Sequence, residues 1–259
     1  MLAAVKPNAG IEAWYRRQLD AKVREMQDSL VYWLTANYRK TQFAQDAPAD
    51  GSANPAIIMR DSMRKQTQRW QRIFDSLADR WARSLADRVL GQSDGTLKAG
   101  VKGEGFTVKF TMTQPMRDAY QAVIGENVAL IKSIASEHLS EVEGLVMRSV
   151  ARGRDLGTLT KDLQARYGVT KRRAELIARD QNNKATSVMT SARQRDLGIT
   201  EGIWKHSHAG KVPRPSHVEA NGKAFQLDKG MYLDGKWVMP GEEINCRCTW
   251  QPIVPGFDA

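Results

Sequence analysis

The chain has 259 residues, of which 41% are hydrophobic and 26% charged, and it carries a formal net charge of +10. This length and composition predict one or two globular domains with a real hydrophobic core. Two cysteines do not make a disulfide framework, and the sequence shows neither a signal peptide at its start nor an apolar run long enough to cross a bilayer. An intracellular, reducing compartment and the absence of a membrane partner are the expectations.

The N-terminal 156 residues predict an elongated helical region. Apolar residues at three- and four-residue steps predict a helix over 11–40, with Ile11, Tyr15, Leu19, Val23, Met26, Leu30 and Leu34 on one face. The segment 42–56, rich in Ala, Asp, Pro and Gly, predicts a linker. We expect the 11–40 helix to be partly unordered in the isolated protein, because its tryptophan-rich face needs a partner.

Two further helices are predicted in this region. The second covers 58–90, with Trp70, Phe74, Trp81 and Leu85 on one face and Gly91 as its C-terminal stop. The glycine-rich segment 91–105 predicts a second flexible linker, and the alternation in GFTVKFTM predicts a short strand over 105–112. A third long helix follows from Pro115 to about residue 152.

The last hundred residues predict a small α+β domain over 157–259. Two helices are expected over 158–168 and 169–198, stopped by Gly168 and Gly198, with Thr170 as the second cap. A short antiparallel sheet follows, with Asp234 and Gly235 as a hairpin turn. The predicted fold class is therefore mainly α, with long amphipathic helices followed by two helices and a short antiparallel sheet.

The cysteines and histidines are concentrated near the C-terminus. Both cysteines, Cys246 and Cys248, follow within about forty residues of His206, His208 and His217. If Cys246 and Cys248 lie in a strand, their side chains share one face, and two thiolates with imidazoles make a tetrahedral zinc set. The candidate structural zinc site is Cys246, Cys248 and His217 with His206 or His208. Buried thiols without metal, a catalytic Cys/His pair and a strained disulfide are the alternatives.

A basic helix is the second candidate site. A helix–turn–helix arrangement would place the 166–196 segment against DNA. Its expected phosphate contacts are Arg166, Lys171, Arg172, Arg173, Arg179 and Lys184. The alternative is a solvated helix whose arginines pair locally, such as Arg179 with Glu175.

Four motifs in order carry a family resemblance: RRAELIARDQNNKA at 172–185, an aliphatic residue and Trp at 203–204, PRPSHVEANGKAF at 213–225, and PGEEINCRC at 240–248. They resemble the C-terminal domain of the phage Mu gpF-like and SPP1 gp7-like minor head (head morphogenesis) proteins. The matching positions include Arg214, Ser216, His217, Gly222, Phe225, Asn245, Cys246, Arg247 and Cys248.

The resemblance implies a structural, non-enzymatic protein of a tailed-phage or prophage head, made in the host cytoplasm and held inside the virion. Its implied partners are the portal protein and the major capsid or scaffold proteins, with viral DNA as a further contact. A DNA-binding module is the first alternative. A nuclease or a Cys/His hydrolase is the second.

Overall fold

The computed structural model describes residues 2–42, 55–152, 156–208 and 212–256. The long helices are α1 (Ala9–Gln42), α2 (Pro55–Gly103), α3 (Gln114–Ala151) and α4 (Leu156–Asp196). They are followed by β1 (Glu201–Lys205), α5 (Pro215–Glu219), β2 (Ala224–Gln226), β3 (Met231–Leu233), β4 (Lys236–Val238) and β5 (Thr249–Ile253). This order confirms a mainly helical fold with a small antiparallel sheet near the C-terminus.

The chain divides into two compact units, and each long helix contributes a segment to both. The sheet unit comprises Met1–Tyr15, Trp81–Asn127 and Leu176–Ala259, and the helical unit comprises Arg16–Arg80 and Val128–Glu175. This division does not follow the predicted boundary at residue 156. The division of the chain into domains 1–156 and 157–259 stays a prediction. None of the helices in the described ranges has the length and apolarity that a membrane span requires.

The helical unit packs around an apolar core to which α1–α4 all contribute. The predicted α1 positions are confirmed: Leu19, Val23 and Met26 have no exposed surface. Three hydrogen bonds join different helices: Tyr38 to Ser149 (2.7 Å), the Gln27 side chain to the Leu163 carbonyl (3.2 Å), and Asn37 to Ser62 (2.6 Å). The apolar face of α1 is therefore covered within the chain, which removes the reason for expecting it to be unordered.

The sheet unit contains a three-stranded antiparallel sheet in the order β2-β1-β5. Trp204 of β1 lies opposite Trp250 of β5, and both are buried with Phe225 of β2. Gly202 is required in β1, because a Cβ atom there would lie 2.5 Å from the Trp250 ring. The Trp250 indole donates to the Gln194 side chain (2.7 Å), which joins the sheet to α4.

The second sheet is the predicted hairpin of β3 and β4. Asp234 and Gly235 have φ angles of 49° and 82°, as a two-residue type I′ turn requires. The hairpin prediction is confirmed.

The prediction of a flexible segment over 91–105 is wrong, because α2 continues to Gly103. Ser93 and Leu97 are buried, and the Ser93 hydroxyl lies 2.9 Å from the Thr190 hydroxyl. Asp94 forms a bidentate ion pair with Arg193 at 2.8 and 3.1 Å. These contacts outweigh the low helix propensity of glycine. The predicted linker 42–56 falls mainly on residues 43–54, which lie outside the described residues.

The predicted strand over 105–112 is also wrong. These residues belong neither to β2-β1-β5 nor to β3-β4. Contacts to a side chain hold this segment in place of backbone hydrogen bonds to another strand. The Arg193 guanidinium lies 4.6 Å from the Phe110 ring centroid and donates to the Thr111 carbonyl. Period-two alternation did not distinguish a paired strand from an extended loop held by one arginine.

The two predicted helices over 158–168 and 169–198 form a single helix, α4. Thr170 does not cap a second helix, because its hydroxyl donates to the Arg166 carbonyl and contacts His138 Nδ1 at 2.8 Å. Gly168 lies inside α4 without ending it. The turn needed for a helix–turn–helix arrangement does not exist, and that prediction is wrong.

Candidate metal centre

Three buried side chains bring their donor atoms together in the sheet unit. His217 lies in α5, and Cys246 and Cys248 lie in the loop before β5, not in a strand as predicted. Each residue is at most 5% exposed, and the donor atoms all lie within 4.8 Å of one another. Both cysteines are free thiols. This cluster is able to bind a metal ion.

The distances fit tetrahedral coordination. His217 Nδ1 lies 3.5 Å from Cys246 Sγ and 3.7 Å from Cys248 Sγ. Zn–S bonds of about 2.3 Å and Zn–N bonds of about 2.0–2.1 Å, at the tetrahedral angle, place nitrogen and sulfur about 3.5–3.6 Å apart. One nitrogen at nearly equal distance from two sulfurs is the arrangement that a shared ion requires.

Glu243 orients the imidazole of His217. Its carboxylate lies 3.0 Å from His217 Nε2, so this nitrogen carries the proton and Nδ1 is free to coordinate. Arg214 and Lys236 pair with the same carboxylate at 3.4 and 2.5 Å. Burial opposes ionisation of Glu243, but the hydrogen bond from Lys236 and the charge of Arg214 outweigh it and lower the pKa of Glu243. A carboxylate behind a ligating histidine is the usual outer shell of a zinc site.

The backbone around Cys246 supports a negatively charged sulfur. The amide of Gly241 donates to Cys246 Sγ at 3.3 Å, and the Asn183 side chain of α4 donates to the Cys246 carbonyl at 2.8 Å. A hydrogen bond from the Cys248 thiol lowers the pKa of Cys246 to about 6. The same proton held between the sulfurs raises the pKa of Cys248. One thiolate of the pair is therefore readily formed, and thiolate is the form that binds metals.

Asn245 holds the cysteine loop against α4. It adopts a left-handed backbone conformation with φ of 62°. Its amide donates to Asp180 Oδ1 at 3.1 Å, and its side-chain oxygen accepts from Arg179 at 2.5 Å. Burial raises the pKa of Asp180. The asparagine before the first cysteine is thus a backbone requirement of this loop.

A cavity of about 300 Å³ opens on the cluster. Its wall includes the three donor residues together with His206, Ser207, Arg214, Asn245 and Arg247. His206 and His208 follow the end of β1, with their ring centroids 4.6 Å apart. The three donor residues therefore line this cavity, although each is at most 5% exposed.

The other motif residues have structural contacts in the same region. Arg214 donates to the Ile244 carbonyl (3.0 Å) and Ser216 to the Asp234 carboxylate (2.7 Å). Phe225 packs edge-on against Trp204 with centroids 5.8 Å apart. Arg247 is exposed. The motif thus combines the candidate metal donors with loop anchors and core residues.

Several basic residues of α4 have local partners. Arg173 pairs with Glu137 at 2.9 Å in the helical unit, whereas Lys184 pairs with Glu126 at 3.0 Å in the sheet unit. Arg179 is engaged with Asn245, and Arg172 is exposed. DNA contact by these residues stays a prediction.

Four functional residues were missed at the sequence level: Glu243, Gly241, Asp180 and Asn183. Glu243 and Gly241 are part of PGEEINCRC, and Asp180 and Asn183 lie three residues apart on one helix face, which places both at the same loop. Motif membership and helical spacing could therefore have pointed to these four residues. The sequence does not show, however, that this face of α4 contacts the cysteine loop.

The same atoms also resemble a thiol–imidazole–carboxylate arrangement. Cys246, His217 and Glu243 are within contact distance in that order. Two observations favour metal binding over a nucleophile: His217 faces both sulfurs, and Cys246 is 3% exposed. A nucleophilic cysteine needs one thiol aligned with its base and access for a substrate.

The fold and site define a mainly helical protein with a small Cys/His-containing sheet region. Residues 140–251 match the model of the family described as "Phage Mu protein F like protein". This match confirms the family that the motifs predicted for the C-terminal region.

Among the curated proteins, an uncharacterised protein of Haemophilus influenzae is 28% identical over 257 residues. The alignment covers 96% of this chain and 55% of that relative, so the chain spans about half the length of the relative it matches. No solved structure matches the chain significantly.

Proposed function

We propose that this chain is a structural minor head protein of a tailed phage or prophage. The observation that carries the proposal is the phage Mu F-like match over residues 140–251. Within that range, the motif residues form a buried Cys/His cluster and anchor the surrounding loops by hydrogen bonds. In the proposed role, the protein is made in the host cytoplasm and ends inside the virion head.

The proposed partners are the portal protein and the capsid or scaffold proteins. Most of the apolar surface of α1 is internal, but Tyr32 and Trp33 are 66% and 41% exposed and stack edge-on at 5.3 Å. Exposed aromatic pairs are typical anchors of protein interfaces. This pair is the surface of the N-terminal part that we propose for portal contact.

Co-purification with the portal protein at low and high salt tests this proposal. Apolar docking persists at high salt, and replacing Tyr32 and Trp33 with alanine weakens it. The matched control is replacement of Tyr232 and Trp237, a second exposed aromatic pair in the β3–β4 hairpin. Purified heads that lack the protein would contradict the head role itself.

Contact with packaged DNA is a second proposal, supported by the net charge of +10. Such binding depends on phosphate contacts and falls steeply as salt increases. Replacing Arg172 and Lys171 together should reduce the salt dependence if α4 supplies the contacts. Salt-independent binding, or unchanged binding in that variant, would remove α4 from the proposal.

The metal that we propose for the cluster is zinc, in a structural role. Two thiolates and an imidazole are soft and borderline donors, which suit zinc better than magnesium or calcium. The outer carboxylate of Glu243 and the low exposure of all three donors support this assignment. Metal analysis of protein purified without chelator tests it.

A further inference from the structure

The end of β1 borders the metal cluster closely. The backbone amide of His206 donates to the Asn221 side chain at 2.9 Å, which holds the chain just after the strand. The amide of the next residue, Ser207, forms a hydrogen bond with the sulfur of Cys248. Because His206 is joined directly to that amide, its Cα atom is held beside the donor set.

The imidazole of His206 lies between the cavity and His208. It lines the same cavity as His217, Cys246 and Cys248, and it is only half-buried. Its Nδ1 accepts a hydrogen bond from the backbone amide of His208 at 3.3 Å and lies 3.3 Å from His208 Nδ1, and both contacts are long. Turning the imidazole away from His208 therefore breaks two contacts that are long for hydrogen bonds.

Three protein donors leave one tetrahedral position to fill. Structural zinc sites are closed by a fourth protein ligand, whereas catalytic sites keep that position for water or substrate. His208 is a poor candidate, since it is exposed, has a φ of 53°, and is not among the described residues that form the cavity wall.

We propose that His206 is the fourth ligand, and that its imidazole turns from His208 to the ion when the metal binds. The result is a Cys₂His₂ centre that joins the end of β1 to α5 and to the loop before β5. This inference rests on the zinc site proposed above and adds the identity of the closing ligand, which selects between the two histidines left open by the sequence.

Cobalt(II) titration of the metal-free full chain tests the inference, because tetrahedral cobalt absorbs strongly in the visible region and reports its ligands. The comparison uses the wild type, His206→Ala, His208→Ala as the matched control, and His217→Ala. We expect His206→Ala to weaken binding by more than about 100-fold, which exceeds the effect of losing an outer-shell group, and to shift the absorption bands. His208→Ala should match the wild type.

X-ray absorption on the zinc-loaded wild type gives an independent count that needs no variant to fold. Two sulfur neighbours together with the outer-shell scattering of two imidazole rings support the proposal. Two sulfurs with the scattering of a single imidazole ring, or a His206→Ala protein with wild-type affinity and spectrum, would overturn it while leaving the zinc site in place. A wild type that binds no metal would instead refute the zinc proposal on which it rests.

Discussion

The backbone amide of Asn245 donates a hydrogen bond to Oδ1 of Asp180 at 3.1 Å, across 65 residues of chain. Arg179, next to Asp180 in α4, binds the side-chain oxygen of the same asparagine. One helical turn thus holds both the backbone and the side chain of the residue that precedes Cys246. These two contacts of α4 therefore position the cysteine loop.

This relationship predicts an order among Asn245 variants. Asn245→Ala should cost about 1–3 kcal/mol, because it loses the Arg179 contact and places a less tolerant residue at positive φ. Asn245→Gly should cost about 1 kcal/mol less, because glycine adopts this conformation without a steric penalty. Urea unfolding of both proteins measures the difference. Equal destabilisation would show that the backbone conformation is not what asparagine supplies.

Zinc should be present at about one ion per chain in protein purified without chelator, measured by elemental analysis. Its removal should destabilise the sheet unit, because structural zinc contributes its binding energy directly to folding. Cys248→Ser should act like chelation, and His208→Ala is the control. Absence of stoichiometric metal, with a cost of only about 1–3 kcal/mol for replacing both cysteines, would leave them as ordinary buried residues.

The ion pair between Arg193 and Asp94 should be the strongest single test of the α2 extension. The Arg193 side chain is 4% exposed and that of Asp94 is 20% exposed. Asp94→Ala leaves a buried guanidinium without its bidentate partner, so we expect a loss of about 3–5 kcal/mol in the free energy of unfolding. Asp75→Ala is the matched control: Asp75 pairs with Lys132 at 3.6 Å with both side chains more than 40% exposed.

For that exposed pair the expected loss is about 0–1 kcal/mol. Chemical denaturation compares the two variants. Similar small losses would mean that residues 91–103 do not depend on this contact.

His138 should make the stability fall on acidification. Burial lowers the pKa of His138 to about 4 from an ordinary value of 6.5. Between these values the unfolded chain binds the proton and the folded chain does not, so stability is full above about pH 6.5 and is lost as the pH falls toward 4. The loss attributable to this group is about 2–4 kcal/mol.

The measurement is urea unfolding between pH 7.5 and 4.5 for the wild type and His138→Gln, both metal-free so that the cysteine cluster contributes equally. The difference between them should shrink, or change sign, at low pH. A wild type and a variant with parallel pH profiles would contradict the assignment. The Thr170 contact at 2.8 Å is retained best by glutamine, which keeps a hydrogen-bonding group.

Local patterns were sufficient wherever the structure is decided by neighbours in sequence. The spacing of Leu19, Val23 and Met26 predicted the buried face of α1, and Asp234-Gly235 predicted the hairpin turn with its positive φ angles. The motif order also predicted the family match, because motif residues are read directly from the chain. Cys246, Cys248 and His217 were correctly predicted as one cluster, although the supposed strand geometry of the cysteines was wrong.

Errors arose where distant contacts override local signals. Gly91 marked a helix end by propensity, yet Asp94 and Arg193 meet across 99 residues and keep α2 helical. Gly168 and Thr170 suggested a break, but the helix continues and the threonine bonds back to Arg166.

By itself, the sequence determined the helical class, the amphipathic faces, the hairpin, the family of the C-terminal region and the three residues of the candidate metal cluster. These depend on periodicity, turn chemistry and residue identity, which are local properties. Only the tertiary structure decided that Glu243 orients His217, that Asp180 and Asn183 hold the cysteine loop, and that His206 lines the cavity beside it. The physical reason is that hydrogen bonds and metal coordination act over about 2–4 Å. Only folding brings residues that are far apart in sequence within that range.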